Sequence, residues 1–102
     1  MADRLTLHEE LCEILGSRNV YFQPPASVKM SYDAIRYKLN NKDIKRANDK
    51  LYLMTNQYEG VVITRDPDTT IPDDVLNHFK MCSFGRPYTA DNLNHYPFTL
   101  YY

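Results

Sequence analysis

The residues best equipped for catalysis or metal binding are two cysteines, Cys12 and Cys82, and three histidines, His8, His78 and His95. Zinc sites use these residue types at short fixed spacings such as CxxC or HExxH, and neither spacing occurs in this sequence. Cys82 and His95 are a conceivable nucleophile and base, but nothing in the sequence supplies a third group to orient the histidine. We therefore predict no enzyme activity, no cofactor and no metal. Both cysteines are expected to be reduced and to pack as small apolar groups.

Four carboxylates fall within nine residues, at Asp66, Asp68, Asp73 and Asp74. Calcium is held by oxygen ligands of this kind, but calcium-binding loops also need a central glycine and a closing glutamate, which this segment lacks. A solvated turn that leads into the first turn of a helix, where the helix dipole favours negative charge, accounts for the same residues. We favour this second interpretation.

Charge is distributed unevenly along the chain. Residues 29–50 carry seven basic and three acidic side chains, a local charge of +4, whereas residues 51–102 carry three basic and six acidic ones, a local charge of −3. The total charge of −1 gives no electrostatic basis for nucleic-acid binding by the whole chain. Two oppositely charged segments suit self-association, in which one copy's patch meets its neighbour's, although two solvated loops would have the same composition.

The composition is that of a small globular protein. A chain of 102 residues is long enough for one domain with one modest core. Hydrophobic residues make up 43% of the chain and charged residues 25%, which argues against a disordered tail. No apolar run is long enough to cross a membrane, and the first residues lack the pattern of a secretory signal. Nine tyrosines suit contacts between subunits, although strand propensity alone also favours tyrosine.

Hydrophobic periodicity predicts one domain over residues 1–102. Its expected elements are a helix at about 6–15, an extended arm at 19–32, a long β-hairpin at 34–65 with a loop at 40–50, a helix at about 72–79 and a terminal hairpin at 81–102. A capping box of Thr6 and Glu9 should open the first helix, and Gly16 should end it. This order favours an α+β fold: a small, mostly antiparallel sheet with both helices packed on one face.

Three stretches of the chain resemble a known family. They are LHEELCEILGSRNVYFQPP at 7–25, YEGVVITRDPDTTIPDDVL at 58–76 and CSFGRPYTADNLNHYPFTLYY at 82–102. Together they are similar to small neck proteins of long-tailed bacteriophages, and above all to the tail terminator, or tail completion, family. In that group a helix is followed by an extended proline-containing arm, a long β-hairpin, a second helix and a terminal strand.

The resemblance implies a structural virion protein without catalysis and with a tail-terminator-like fold. Copies of the protein would form a ring, a hexamer, that caps the tail tube and joins it to the head–neck connector, with DNA passing through the lumen without specific binding. The protein would be made in the bacterial host cytoplasm and act at the tail–neck junction, away from any membrane. Another neck protein, such as a head-closure or adaptor subunit, and a small non-viral interaction module are the alternatives.

A ring joins two different patches of neighbouring copies, and open strand edges are natural places for such contacts. The candidate interface residues therefore come from the edge-like strands and the basic segment: Val20, Tyr21, Phe22, Arg36, Lys38, Lys42, Lys45, Arg46, Tyr96, Phe98, Tyr101 and Tyr102. Asp66 and Asp68 are candidate lumen residues, because carboxylates there would repel the phosphates of passing DNA.

Overall fold

A computed structural model describes residues 4–25, 29–47, 50–79 and 81–102, with the backbone but not the side chains of residues 41–47 and 50–55. It contains two helices, α1 (Arg4–Leu15) and α2 (Ile71–His78). The strands are β1 (Val20–Phe22), β2 (Ala34–Ala47), β3 (Lys50–Thr64), β4 (Cys82–Phe84), β5 (Tyr88–Ala90) and β6 (Leu93–Tyr101). Within the described residues, neither helix has the length and hydropathy that a membrane crossing requires.

The six strands form one mixed sheet in the order β1-β2-β3-β6-β4, and β5 also pairs with β6. Four pairings are antiparallel, but β1 runs parallel to β2, with Val20 opposite Ile35. The parallel pair arises because the chain crosses over between Phe22 and Ala34 and re-enters the sheet in the same direction. The fold is therefore α+β, as predicted, with a sheet that is mixed.

The core lies between the helices and one face of the sheet. Leu7 and Leu11 of α1 and Val75 of α2 are fully buried against this face. Strand side chains alternate between the two faces, so Val62 and Leu100 point into the core with other members of their strands. The remaining buried core residues are Cys12, Val20, Ile35, Tyr37, Tyr58, Phe79 and Phe98.

The helix ends follow the sequence signals in part. Gly16 adopts a left-handed φ of 80° and its amide donates to the Cys12 carbonyl at 2.9 Å, which confirms it as the end of α1. The predicted capping box is wrong, because α1 already includes Arg4 and Thr6 lies inside its first turn. The Glu9 carboxylate instead accepts hydrogen bonds of 2.8 and 3.0 Å from the Arg18 guanidinium.

The loop expected at 40–50 is also wrong, because β2 continues to Ala47 and β3 begins at Lys50. We call residues 41–47 and 50–55 the ribbon. The backbone of Asn56 in β3 hydrogen-bonds that of Tyr102. The five ribbon pairs from Asp43–Thr55 to Ala47–Lys50 lie farther from the body of the sheet than Asn56, and no third strand pairs with them. The polar, turn-rich residues 40–50 resemble a loop in sequence, although most of them continue the two strands. The ribbon's backbone groups pair across the hairpin, which satisfies them without a third strand.

The terminal strand β6 is internal, which corrects the expectation that it offers an open edge. It pairs with β3 on one side and with β4 and β5 on the other. Phe84 faces Phe98 whereas Tyr88 faces His95, so β4 and β5 together act as one edge strand with an extra residue, a β-bulge, between them. Asp91 and Asn92, both with positive φ, form the turn that precedes β6.

A close approach of two strands lies at the centre of the sheet. Gly60 of β3 is paired with Phe98 of β6, and the Phe98 ring covers the space that a side chain at Gly60 would occupy. A Cβ placed at Gly60 would lie 2.8 and 2.9 Å from two carbons on opposite sides of the ring. Only glycine is compatible with the ring in this position.

We expect Gly60→Ala to lower the free energy of unfolding by about 1–3 kcal/mol, because the added methyl group overpacks the core against Phe98. Chemical denaturation measures this change. Gly85→Ala is the matched control: its Cβ would meet only Pro97, at an ordinary 3.7 Å, so stability should change little. Equal effects of the two substitutions would contradict the packing described here.

Candidate functional site

A groove of about 490 Å³ lies on the face of the sheet opposite the helices. Alternation along β2 sends Ile35 and Tyr37 into the core and leaves Arg36 and Lys38 on the outer face. The floor is completed by outer-face residues of the two neighbouring strands, Glu59, Val61, Pro97 and Thr99, and Gln23, Pro24 and Tyr88 also line it. The groove thus combines cationic side chains with an apolar and aromatic lining.

The cross-strand register sets the charge of the groove. Arg36 lies opposite Val61, and Lys38 lies opposite Glu59. The Lys38 Nζ is 3.8 Å from a Glu59 carboxylate oxygen, and both side chains are largely exposed, so this ion pair is weak. Arg36 is exposed and forms no ion pair or hydrogen bond with any other described side chain. The groove therefore keeps an uncompensated positive charge at Arg36.

An exposed aromatic ring forms one wall of the groove. Tyr88 is 49% exposed and stacks on His95, with ring centroids 4.8 Å apart and an interplanar angle of 13°. The Nδ1 of His95 lies 3.0 Å from the Leu93 carbonyl, which can only accept, so Nδ1 carries the proton and fixes the ring. The stack holds the Tyr88 ring as a preformed contact surface for an apolar group.

The conceivable catalytic pair is not assembled. Cys82 packs against the core. His95 stacks on Tyr88 on the outer face of the sheet, because side chains alternate along β6 and its neighbour Tyr96 points to the core. Both cysteines are free, as predicted. Burial raises the pKa of the Cys12 and Cys82 thiols, which disfavours the reactive thiolate.

Two predicted interface residues belong to the core. Val20 is 5% exposed and Phe98 is 3% exposed, because both side chains point toward the helices. They have no surface to offer a partner, so this part of the prediction was wrong. Tyr96 and Phe22 are half-buried and pack against the same core.

Other predicted interface residues make contacts within the chain. The Tyr21 hydroxyl accepts a hydrogen bond of 3.0 Å from the Ser31 amide, and the Tyr101 hydroxyl accepts one of 2.8 Å from the Gln57 side chain. Each of these tyrosines is partly exposed. Arg36 and Lys38 remain available in the groove.

The basic and the acidic segments lie at opposite ends of the molecule's long axis. The molecule measures 50 × 27 × 23 Å, and β3 runs from the ribbon at its start to the acidic segment that follows Thr64. Lys42, Lys45 and Arg46, predicted as interface residues, belong to the β2 half of the ribbon, and their side chains lie outside the described part of the structure. Asp66 and Asp68 are exposed at the opposite end. We call residues 66–70 the acidic turn; Arg65, which is also exposed, precedes it.

No protein-family model, no curated protein and no solved structure matches this chain. The groove, the ribbon and the acidic turn are therefore interpreted from their own chemistry. Among the described residues, no three His, Cys, Asp or Glu side chains are grouped so that they could hold a metal ion.

A polar cluster that sequence reasoning missed joins the two helices to residue 102. The Oε1 of Glu10 is 3.1 Å from the Nε2 of His78, and the Tyr102 hydroxyl donates to Oε2. The hydrogen bond from Tyr102 has the largest effect on the Glu10 carboxyl and lowers its pKa, and the contact with His78 lowers this pKa further. These residues are 68 and 92 positions apart from Glu10, so no local sequence pattern could have indicated the cluster.

We expect Tyr102→Phe to destabilise the protein at pH 7 by about 1 kcal/mol, because it removes a hydrogen bond to a partly exposed carboxylate. The folded-state pKa of Glu10 lies below its usual 4.5, so this stabilisation is present above that value and is lost as the pH falls through the folded pKa. Urea denaturation at pH 7 and at acidic pH values below 4.5 measures this effect. The difference in free energy of unfolding between Tyr102→Phe and the unsubstituted protein should become smaller as the pH falls.

The control for this experiment is Tyr96→Phe, since the Tyr96 hydroxyl makes no hydrogen bond within the described residues. Its effect on stability should be small and independent of pH. A Tyr102→Phe deficit that stays constant from neutral to acid pH would argue against the role of Glu10.

Proposed function

We propose that this protein is a structural subunit of the neck of a long-tailed bacteriophage: a tail terminator whose copies form a ring that caps the tail tube and joins the head–neck connector. Two lines of reasoning support the proposal. One is the resemblance of most of the chain to that family. The other is the ribbon, whose geometry suits an arm that reaches a neighbouring subunit.

The ribbon is the observation that carries the proposal. Five of its cross-strand pairs have neither β1 nor β6 beside them. An isolated two-stranded hairpin is at best marginally stable in water, because it has little apolar surface to bury. Both of its edges also present backbone groups that a strand from another chain can pair with. A partner that covers the ribbon resolves both difficulties, which favours an assembly protein over a free monomer.

The order of elements supports the choice of family. A helix, a short strand followed by Pro24 and Pro25, a long hairpin, a second helix and terminal strands succeed one another along the chain. This is the order that the resemblance implies for tail terminators. On this proposal, the protein acts at the tail–neck junction of the virion.

The charges support contacts between unlike patches of neighbouring copies. Residues 41–55 contain four basic and two acidic side chains, a local charge of +2, while the acidic turn and the start of α2 carry four carboxylates. These segments occupy opposite ends of β3. Two complementary patches on one subunit produce head-to-tail association, which closes into a ring when the rotation between copies allows it.

The test is a variant without the ribbon, in which residues 43–55 are replaced by Asn-Gly. Lys42 and Asn56 are directly paired, so a two-residue type I′ turn can join them without disturbing the sheet. The unaltered protein should form particles of about six subunits, alone or with tail-tube protein, as measured by light scattering. The variant should remain monomeric.

The melting temperature provides the control, because every core residue among the described side chains lies outside 43–55 and the variant should retain its fold. A wild-type protein that stays monomeric and ignores tail-tube protein would contradict the proposed function. Unimpaired assembly of the variant would show that the ribbon is not the arm.

A further inference from the structure

The groove and the acidic turn are two surfaces of opposite charge that do not meet within one molecule. Among the described residues, Arg36, Asp66 and Asp68 form no ion pair, and Lys38 contacts only Glu59. All four side chains that would take part in a contact are exposed. Their charges are therefore available to a second molecule.

The spacing of the charges is compatible with a direct match. Arg36 and Lys38 are two residues apart on one face of β2, so their Cα atoms are separated by about 6–7 Å. Asp66 and Asp68 are also two residues apart. Asp66 Oδ1 accepts a hydrogen bond of 2.9 Å from the Asp68 amide, which shapes the turn. The second oxygen of Asp66 and the Asp68 carboxylate remain for a partner.

The apolar parts of the two surfaces also correspond. Pro67 lies between the two carboxylates and is exposed. The groove offers the exposed Tyr88 ring, held by its stack on His95, together with the half-buried Pro97. The groove thus offers two cations on β2 and an aromatic ring on β5, across β3 and β6, to a proline that lies between two acids.

We propose that the acidic turn of one copy docks into the groove of the next copy, with Asp66 and Asp68 paired with Arg36 and Lys38. This inference rests on the proposed ring and names one of its contacts. It gives Asp66 and Asp68 a role at the subunit interface instead of the lumen predicted from the sequence. The contact joins unlike patches, as a cyclic assembly requires.

The contact should depend on salt. Exposed ion pairs are individually weak and are screened over about 10 Å at 0.1 M ionic strength. A closed ring repeats the contact at every interface, so several weak pairs act together. Ring formation should accordingly require a higher protein concentration when the ionic strength rises.

The test uses two charge-reversed proteins. One carries Arg36→Glu and Lys38→Glu, and the other carries Asp66→Lys and Asp68→Lys. In each protein alone, the groove and the turn carry like charges, which repel when they are brought together. The concentration needed for half-maximal assembly, measured by light scattering with tail-tube protein present, should rise by more than about tenfold for each.

An equal mixture of the two proteins should restore assembly, because each acidic turn then meets a basic groove and each basic turn meets an acidic groove. Glu13→Lys is the control. It also replaces a carboxylate with an ammonium group, at an exposed residue of α1 outside the proposed contact and outside the acidic patch, and it should assemble normally. Circular dichroism melting checks that every variant is folded.

The outcomes separate the two proposals. If the wild type forms rings and both reversed proteins form them equally well, the groove contact is wrong and the proposed function stands. If the reversed proteins fail and their mixture also fails, the pairing of turn with groove is overturned. If the wild type never assembles, the ring itself is wrong and this contact is wrong with it.

Discussion

The packing of Phe98 over Gly60 determines how the rest of the molecule is arranged. These two residues face each other across β3 and β6, and the aromatic ring leaves no space for a side chain on the opposite strand. A shift of β6 by one residue would turn its core residues to the outer face. The register so established places Pro97 in the groove and brings Tyr102 to Glu10. The core, the groove and the Glu10 cluster thus all require the same register between β3 and β6.

The core-facing side of the sheet is stable because its buried polar atoms form hydrogen bonds and because its apolar side chains are buried. Tyr37 is 2% exposed, yet its hydroxyl lies 2.8 Å from Nδ1 of His8 and accepts a bond from Arg4. Among the described residues, no buried side-chain nitrogen or oxygen lacks a partner. Burial and the charge of Arg4 lower the pKa of His8, which keeps its ring neutral beside this hydroxyl.

Local patterns in the sequence predicted local structure well. Gly16 marked a helix end because a left-handed conformation ends the helix there, although the capping box predicted at Thr6 and Glu9 did not form. The hairpin over 34–65 was predicted, but the polar composition of residues 40–50 indicated a loop where β2 in fact continues to Ala47. The internal position of β6, the parallel pairing of β1 and the Glu10 cluster depend on contacts between distant segments. The groove was missed as a cavity for the same reason, although two of its residues were identified as surface contacts.

The bulge between β4 and β5 limits what the margin of the sheet can do. It divides that margin into two three-residue segments, and at the other margin Pro24 and Pro25 follow the three residues of β1. Short, interrupted margins give an incoming strand too few consecutive amides to extend the sheet indefinitely. These margins therefore offer little backbone for sheet-to-sheet pairing, in contrast to the ribbon, where five cross-strand pairs have no third strand beside them.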